Sequence, residues 1–390
     1  MKIYYRYVLG GVTKLFVTTL LIFTVALLFL LVVQMSLKTG FPFTYSFRLT
    51  PYLVPEIFAI AIPASALFAV TIFFAKMGGN NEIIGLKSLG IAPWRILYPV
   101  WILMFGVSVC GVWFNDLSTS WTRLEMNRVL LEGVETMLLS QLRTENRFVA
   151  PSGQFEVKVT DVSSDNVLIN PEFSGKIDGV NGTAESAKVN VEFDSTKNPL
   201  LRIRMENAEI DAQHGRFVIP DSYEFVIPLN QIYRSKNRVD PPAKEVEQAL
   251  ENLEADRSSY HRRLASSAIF SFLSGDFEAT TQESWKTRIN TEKYFDRQRN
   301  RFKLTIPRIC AAGFSTFFFV WVGAPYSILL RKSDVTFAFF TSFLPILFVY
   351  YPLFALGLEG AKSGTLPPIA TWLGNVALGI IGIFFLKKIH

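Results

Sequence analysis

The chain has 390 residues, of which 50% are hydrophobic, including 35 Phe, and its formal net charge is +6. This composition excludes a disordered chain and is typical of a helical membrane protein that also carries a polar domain. The basic residues are spread along the chain and many flank apolar runs, so they indicate membrane topology and contact with membrane lipid rather than with nucleic acid. The two cysteines lie in apolar runs and the three histidines are far apart, so neither a disulfide nor a metal site is predicted.

Six apolar runs approach or exceed the roughly 20 residues that a helix needs to cross a bilayer. The first run resembles a signal peptide, but it is uncharged over 15–37 and too long for one, so we interpret it as a retained span. The predicted spans are Leu15–Gln34, Ile57–Ala75, Ile96–Asn115, Ile309–Leu330, Val335–Leu358 and Pro368–Leu386.

The lysines and arginines of the short loops predict the orientation of these spans. If the six spans alternate across the membrane, one side carries Lys2, Arg6, Lys14, Lys76, Lys87, Arg95, Arg331, Lys332, Lys387 and Lys388. The other side carries Lys38, Arg48 and Lys362. Because cytoplasmic loops are enriched in basic residues, both termini are predicted to be cytosolic and the insert over 116–307 to lie outside the inner face.

A short polar stretch between the second and third spans predicts a small cytosolic helix over about 80–90. Asn80 and Asn81 suit the helix start, Glu82 falls in its first turn, and Gly90 favours a stop. Four residues form its apolar face: Ile83, Ile84, Leu86 and Leu89. Such a helix suits contact with a cytosolic motor protein, and the alternative is a helix that lies on the lipid headgroups.

A phosphate-binding loop is not predicted in the same stretch. Gly79 to Ser88 resembles the motif, but Leu86 separates Gly85 from the lysine that should follow it directly. The stretch is also flanked by two apolar spans, where the motif requires a strand before it and a helix after it.

The insert divides by composition into three segments. Residues 116–146 are polar and helix-compatible, and they are predicted to extend the third span outward. Residues 147–235 alternate with a period of two and predict a β-sandwich or jellyroll-like domain, with breaks at 151–153 and 178–182. Residues 236–306 form a polar helical connector, with helices expected over 243–264 and 277–303. The strongest strand patterns are 155–159, 167–169, 187–193, 201–205 and 223–227.

In this order, four motifs together resemble the LptF/LptG (YjgP/YjgQ) family, the paired permease subunits of the ABC-type lipopolysaccharide exporter. The first three are Arg6-Tyr7, Val54-Pro55-Glu56-Ile57 with Pro63, and the run over 81–95. The fourth is the tail, with Gly323-Ala324-Pro325, Arg331-Lys332 and the run over 364–375. The implied fold has transmembrane helices over 1–115 and 307–390, with a periplasmic jellyroll between helices 3 and 4.

The resemblance implies a set of partners and no catalytic centre in this chain. A cytosolic LptB-like ATPase dimer would bind ATP and Mg²⁺ and drive export, with one protomer docking on each permease. A second LptF/LptG-type permease would complete a cavity that opens to the outer leaflet of the inner membrane. Lipopolysaccharide would enter near the first span of one subunit and the fifth of the other. It would leave through the β domains onto LptC/LptA-like bridge proteins.

For coupling to the ATPase, the family position implicates Glu82, with Ile83 and Leu86 on the apolar face of the same helix. A carboxylate at a helix N-terminus is oriented to meet an arginine of a partner, although the same carboxylate also stabilises its own helix. Arg95 is a further candidate, with the alternative that it is only a positive-inside anchor.

Four residues are candidates for contact with the lipid substrate. Lys38 matches a position at the outer membrane boundary that meets lipid phosphates in the family, and Gln34 lies one turn before it. Snorkelling to ordinary headgroups also explains Lys38. Phe340 and Phe343 belong to an aromatic-rich fifth span and suit the wall of an acyl-chain cavity, whereas packing between helices or against bilayer lipid is the common alternative.

Two rival hypotheses remain at the level of the sequence. A membrane enzyme acting on lipid-linked envelope substrates would need clustered acids near the outer end of a span, and the loose candidates are Asp116, Glu125 and Glu359. A purely structural envelope scaffold would leave the apolar cytosolic helix without a role.

Overall fold

The computed structural model describes the chain in thirteen ranges and divides it into two compact units. The helical unit comprises Met1–Leu27, Leu53–Thr122 and Asp240–His390, and the second unit comprises Leu28–Tyr52 and Arg123–Val239. The described residues are 2–39, 50–119, 141–143, 146–149, 155–163, 167–175, 180–193, 199–212, 215–219, 221–228, 240–274, 282–330 and 335–389. Most of the predicted extension over 116–146, including Glu125, lies outside these residues.

The first part of the chain forms α1 (Lys2–Thr39), α2 (Thr50–Gly79), α3 (Glu82–Ser88) and α4 (Pro93–Leu117). The helix α1 begins at Lys2 rather than at Leu15, and its early residues Val8 and Val12 are fully buried. Two prolines lie inside α2 without ending it. Packing against neighbouring helices makes such prolines tolerable within a span.

Two long polar helices follow the β unit in sequence. A short 3₁₀ turn leads into α5 (Val246–Ser274), and α6 (Gln282–Leu329) is 48 residues long. At 1.5 Å per residue α6 is about 72 Å long, more than twice the roughly 30 Å of a bilayer core. The second helix of the connector and the fourth span therefore form one helix, and the predicted boundary between 306 and 307 falls inside it.

The fifth span is one continuous helical run with a local change of pitch. It consists of α7 (Val335–Pro345), a π-helical segment (Ile346–Tyr350) and α8 (Tyr351–Ser363). A 3₁₀ segment (Pro368–Trp372) then leads into α9 (Leu373–Ile389).

Within the described residues, six helical runs are long and apolar enough to cross a membrane, which confirms the six predicted spans. Each predicted span overlaps one of these runs, and the fourth is extended most because connector and span share α6. The runs are Ile3–Gln34, Thr50–Gly79, Pro93–Leu117, Arg288–Leu329, Thr336–Ser363 and Pro368–Ile389.

The described part of the β unit contains strands β1 to β11, which in chain order are Arg147–Val149, Phe155–Lys158, Asp161–Val162, Val167–Ile169, Glu172–Gly175, Val180–Thr183, Ser186–Phe193, Pro199–Glu206, Ala208–Ala212, Gly215–Ile219 and Tyr223–Pro228. They form two antiparallel sheets, with strand orders β1-β2-β5-β6-β9-β10 and β11-β8-β7-β4-β3.

The five strongest strand patterns are confirmed as β2, β4, β7, β8 and β11. The predicted break over 178–182 is wrong in part, because Val180–Thr183 is strand β6 and pairs with both β5 and β9.

Each sheet buries one face, as the period of two requires. In the six-stranded sheet Val157 and Phe173 are paired across strands and are both buried. In the other sheet Leu168 pairs with Ala187, and both are buried as well. The charged residues between them, such as Lys158 and Lys188, are exposed.

The core of the helical unit lies around the N-terminal halves of α1 and α4 and the C-terminal halves of α2, α6 and α9. One cluster brings together Val12, Phe74, Ile96, Val320 and Ile389 from these helices. A second cluster joins α2, α6 and α9 to the π-helical segment of the fifth span. The short helix α3 enters the first cluster through Ile83.

Candidate functional site

The candidate site is built on α3, which begins and ends where the sequence predicts. Asn81 stands at the N-cap position in the left-handed region, with φ 60°, and makes no capping hydrogen bond through its side chain. The neighbouring Asn80 instead donates from Nδ2 to Oε1 of Glu82 over 3.1 Å. The first turn is thus ordered by the Glu82 carboxylate and not by an asparagine cap.

The C-terminal end of α3 is a Schellman motif. The N–H of Ile91 donates to the carbonyl of Leu86 at 3.1 Å, and the N–H of Gly90 donates to that of Lys87 at 2.9 Å. Gly90 has φ +77°, a conformation that glycine adopts without steric cost. Leu86 and Ile91 both pack against the first cluster, so an apolar contact completes the motif.

The structure separates the four apolar residues of α3 into a packed pair and an exposed pair. Ile83 is only 2% exposed and Leu86 is half-buried against the first cluster, whereas Ile84 is 42% and Leu89 is 77% exposed. At about 100° per residue, Ile84 lies roughly 160° from Leu86 around the helix, so both cannot face the same partner. Any effect of Ile83 on coupling must act through packing, because its side chain is not accessible.

The accessible surface at α3 contains an acid, apolar side chains and a cation. Ile84 and Leu89 are exposed on α3, and at the start of α4 Trp94 is 45% exposed and Arg95 is also exposed. The Arg95 guanidinium carbon lies 5.3 Å from the centroid of the Trp94 ring, a cation–π contact. Apolar area with charges at its edge is the usual composition of a protein-docking surface.

Both ends of α3 are bonded to other spans. At its start, the hydroxyl of Tyr7 in α1 donates to Oε2 of Glu82 at a long 3.4 Å. At its end, Nζ of Lys87 donates to the carbonyl oxygen of Ile389 in α9 at 2.8 Å. The sequence did not predict these two contacts, because Tyr7 lies 75 residues from Glu82 and Ile389 lies 302 residues from Lys87 along the chain.

These contacts bring several basic segments to one end of the helical unit. The start of α1 and α4 also meet there, through a hydrogen bond from Tyr4 to the carbonyl of Ile96 at 3.3 Å. The segments gathered at this end carry Lys2, Arg6, Lys76, Lys87, Arg95, Lys387 and Lys388. This is the distribution that the positive-inside rule describes for one membrane face.

The first and fifth spans are the least packed of the six. The most apolar window of the first is 11% buried and that of the fifth is 17% buried, against 61% for the second and fourth. Leu21, Ile22 and Val25 of α1 are all more than half exposed. Apolar faces of this extent require lipid or a second protein to cover them.

The candidate substrate residues fall in different surroundings. Gln34 is exposed on α1, and Lys38 lies near the end of α1 with its side chain outside what the structure describes. Phe340 is 60% exposed on α7, whereas Phe343 packs against the second cluster and stacks on Phe339 with ring centroids 6.2 Å apart. Only Gln34 and Phe340 are therefore shown with accessible side chains.

The acids considered for an enzyme are engaged elsewhere and are not brought together. Asp116 accepts a hydrogen bond from the backbone N–H of Ala243 at 3.1 Å, and Glu359 is paired with Lys362 at 2.7 Å. Among the described residues, no group of three or more His, Cys, Asp or Glu side chains is arranged to hold a metal ion.

A cavity of about 530 Å³ lies on the polar face of the six-stranded sheet, lined by charged residues including Glu156, Lys158, Glu172 and Asp211. Pockets that hold acyl chains are lined mainly by apolar side chains, so this cavity does not suit them.

These features define a class of protein: a six-span helical membrane protein with a β unit inserted between the third and fourth spans and a short, docked helix between the second and third. Residues 6–388 match the family described as Lipopolysaccharide export system permease LptF/LptG. The chain belongs to this family, as the resemblance predicted, and is a multi-pass inner membrane protein of lipopolysaccharide export. A comparison with curated proteins gave no match.

Proposed function

We propose that this chain is a permease subunit that extracts lipopolysaccharide from the outer leaflet of the inner membrane, driven by a separate cytosolic ATPase. The observation that carries the proposal is the two-sided character of α3. Ile83 and Leu86 fix one side in the core of the helical unit, while Ile84 is exposed on the opposite side and Leu89 is exposed at the C-terminal end of the helix. A force applied to the exposed side is therefore transmitted to the spans and not absorbed by a loop.

The chemistry of the exposed side fits an LptB-like ATPase dimer with one protomer on each permease. The Glu82 carboxylate accepts hydrogen bonds from Asn80 and Tyr7, one on each oxygen, and each oxygen has a further lone pair. An arginine of the partner can bind a carboxylate in this state through two parallel hydrogen bonds. Arg95 and Trp94 would lie at the rim. ATP and Mg²⁺ would bind to the partner.

The lightly packed first and fifth spans support lateral access of lipid together with a second LptF/LptG-type permease. Their exposed apolar faces suit acyl chains on one side and a partner helix on the other. In this proposal Gln34 and Lys38 lie near the lipid headgroup and Phe340 contacts acyl chains, while Phe343 supports Phe340 from within the second cluster. The β unit would pass lipopolysaccharide to LptC/LptA-like bridge proteins.

The proposed orientation places both termini and α3 in the cytosol and the β unit in the periplasm. In a Cys110→Ser, Cys310→Ser background, Leu89→Cys should react with a membrane-impermeant thiol reagent only in inverted vesicles. Lys158→Cys, an exposed residue of β2, should react only in intact spheroplasts. Labelling of both positions from the same side would refute the proposal.

Docking is tested by co-purification of the ATPase with this chain after Glu82→Arg. The charge reversal should abolish the association and lipopolysaccharide transport, because it places a cation against the arginine of the partner. Lys76→Glu is the matched control, since it reverses the charge of an exposed residue at the nearby end of α2 and keeps the Glu82 carboxylate. Unchanged co-purification and transport in Glu82→Arg would exclude docking through this surface.

A further inference from the structure

The end of α3 is joined to the C-terminal end of α9 by a well-formed hydrogen bond. Lys87 is half-buried, and its Nζ lies 2.8 Å from the carbonyl oxygen of Ile389. The Ile389 side chain is 5% exposed and belongs to the same cluster as Ile83. Helix α3 and the C-terminal end of α9 are thus attached both by packing and by a charged donor.

Helix α9 is packed closely along α6 and has little freedom to bend. The fully buried Asn375 donates from Nδ2 to the carbonyl of Ala311 at 2.9 Å. A Cβ on Gly382 would lie 2.1 Å from the Trp321 ring, so the two helices approach as closely as glycine permits. The indole N–H of Trp321 also donates to the carbonyl of Gly379 at 3.3 Å. A displacement at one end of such a helix is carried to its other end.

The N-terminal end of α9 packs closely against the π-helical segment of the fifth span. A Cβ on Gly374 would lie 2.8 Å from the ring of Tyr350 and 2.9 Å from its carbonyl oxygen. Tyr350 is 4% exposed and stacks on Phe354, with ring centroids 5.6 Å apart. Single π turns inside α-helices are frequent at functional sites.

From these contacts we infer that Lys87 is a positioning residue that couples α3 to the fifth span through α9. Movement of α3 pulls on Ile389, α9 moves as a rigid body, and Gly374 displaces Tyr350 in the π-helical segment. The fifth span is the one that responds, because its packing against the rest of the chain is sparse. Packed side chains and rigid helices of this kind carry coupling between distant sites. The inference rests on the proposed function, since it assigns a route for the force that the ATPase applies.

The test measures transport and ATP hydrolysis separately in the complete assembly, reconstituted with the ATPase and the second permease. Lys87→Met should leave ATP hydrolysis within about two-fold of the wild type and lower the lipopolysaccharide released per ATP by about ten-fold, the size of effect typical of a hydrogen bond to a charged group. Lys87→Arg keeps a cationic donor, so the lipopolysaccharide released per ATP should be close to that of the wild type. Lys76→Met, which removes an exposed charge at the nearby end of α2, should match the wild type.

A second readout follows the fifth span directly. In a Cys110→Ser, Cys310→Ser background, spin labels at Leu356 of α8 and Val376 of α9 occupy exposed sites. The distance between them should change on nucleotide binding in the wild type and stay constant in Lys87→Met. If the Met variant cannot be recovered, Lys87→Gln serves instead, because it stays polar and is too short to reach Ile389.

The inference is wrong if Lys87→Met releases as much lipopolysaccharide per ATP as the wild type and also shows the wild-type change in the distance between the spin labels. Loss of ATPase association in Lys87→Met would also overturn it, since Lys87 would then belong to the docking surface. If the wild-type assembly itself shows neither ATPase binding nor lipopolysaccharide release, the proposed function fails instead.

Discussion

Asp240 and Arg308 form a buried ion pair, with 2.8 Å between Oδ2 of the aspartate and Nη1 of the arginine. Arg301, two turns earlier on α6, donates from Nε to the other carboxylate oxygen, and Asp240 is only 1% exposed. Three residues after Asp240, the N–H of Ala243 donates to Asp116 at the end of α4. The first described residues after the β strands are thereby fixed to the third and fourth spans.

Asp240→Ala should destabilise the helical unit by about 3 kcal/mol, because it leaves two partly buried arginines without their shared partner. The loss can be measured by thermal unfolding in detergent, followed by circular dichroism.

Glu254→Ala is the control for this variant. It removes an ion pair with Arg299 whose glutamate side chain is 63% exposed, and exposed pairs contribute about 0.5 kcal/mol or less. Equal unfolding temperatures of the two variants would show that the Asp240 pair is not structurally important.

The connector illustrates what the sequence does and does not reveal. Both helices were predicted, because charged residues with helical propensity fill α5 and the first half of α6. Their arrangement was not predicted, since it depends on pairs such as Arg257 with Glu292 at 2.6 Å, which are 35 residues apart. The described strands that none of the five patterns predicted are short, with 2 to 5 residues, and take their conformation from neighbouring strands; they are β1, β3, β5, β6, β9 and β10.

Ile83→Ala and Ile84→Ala should affect different properties, although the residues are adjacent: the first should lower stability and the second should weaken binding of the ATPase. Removing the buried Ile83 side chain leaves a cavity in the core of the helical unit and should cost about 2–4 kcal/mol of stability. Removing Ile84 should leave stability unchanged and weaken binding of the ATPase. Thermal unfolding and co-purification are measured on both variants.

The matched pair separates packing from docking at one helix. If Ile84→Ala binds the ATPase normally and Ile83→Ala unfolds as the wild type does, then α3 does not present the surface described above. Leu89→Ala, at a 77% exposed position, should behave like Ile84→Ala.

Local residues predicted where α3 begins and ends, but they did not predict which side of the helix is buried. Gly90 predicted the stop, because only a residue tolerant of positive φ completes the Schellman motif there. The choice of Ile83 over Ile84 as the buried residue depends on α1, α2 and α9, which a single apolar pattern seven residues long cannot encode. The angular spread of its apolar residues was the available signal that they face in more than one direction.

Acid should weaken the six-stranded sheet through Glu156. A hydrogen bond from Arg147 is the main cause that holds the pKa of Glu156 below its ordinary value of 4.5. Since the pKa is lower in the folded chain than in the unfolded chain, this contribution is fully present above the unfolded pKa and is lost as the pH falls through the folded pKa. In Glu156→Gln, the unfolding temperature of the β unit should depend less on pH below about 4.5 than in the wild type.

Arg147→Met provides the reciprocal variant, because it removes the main cause of the shift and should flatten the same part of the pH profile. Melting of the full chain is recorded by circular dichroism from neutral pH downward. An acid profile of Glu156→Gln that superimposes on that of the wild type would contradict the assignment.

Gly374→Ala should disturb the contact between α9 and the fifth span, while Gly379→Ala on the same helix should not. The new Cβ at 374 would lie 2.8 Å from the Tyr350 ring and 2.9 Å from a backbone oxygen, so the helices must move apart. Overpacking of this kind costs about 1–3 kcal/mol. At 379 the nearest atom is 3.4 Å away on Phe318, and the gain in helix propensity offsets a small adjustment. Thermal unfolding should therefore separate the two variants, with lipopolysaccharide release per ATP reduced only in Gly374→Ala. If both variants have the same unfolding temperature and the same lipopolysaccharide release per ATP, then the packing of α9 against the π-helical segment is not close enough to move it.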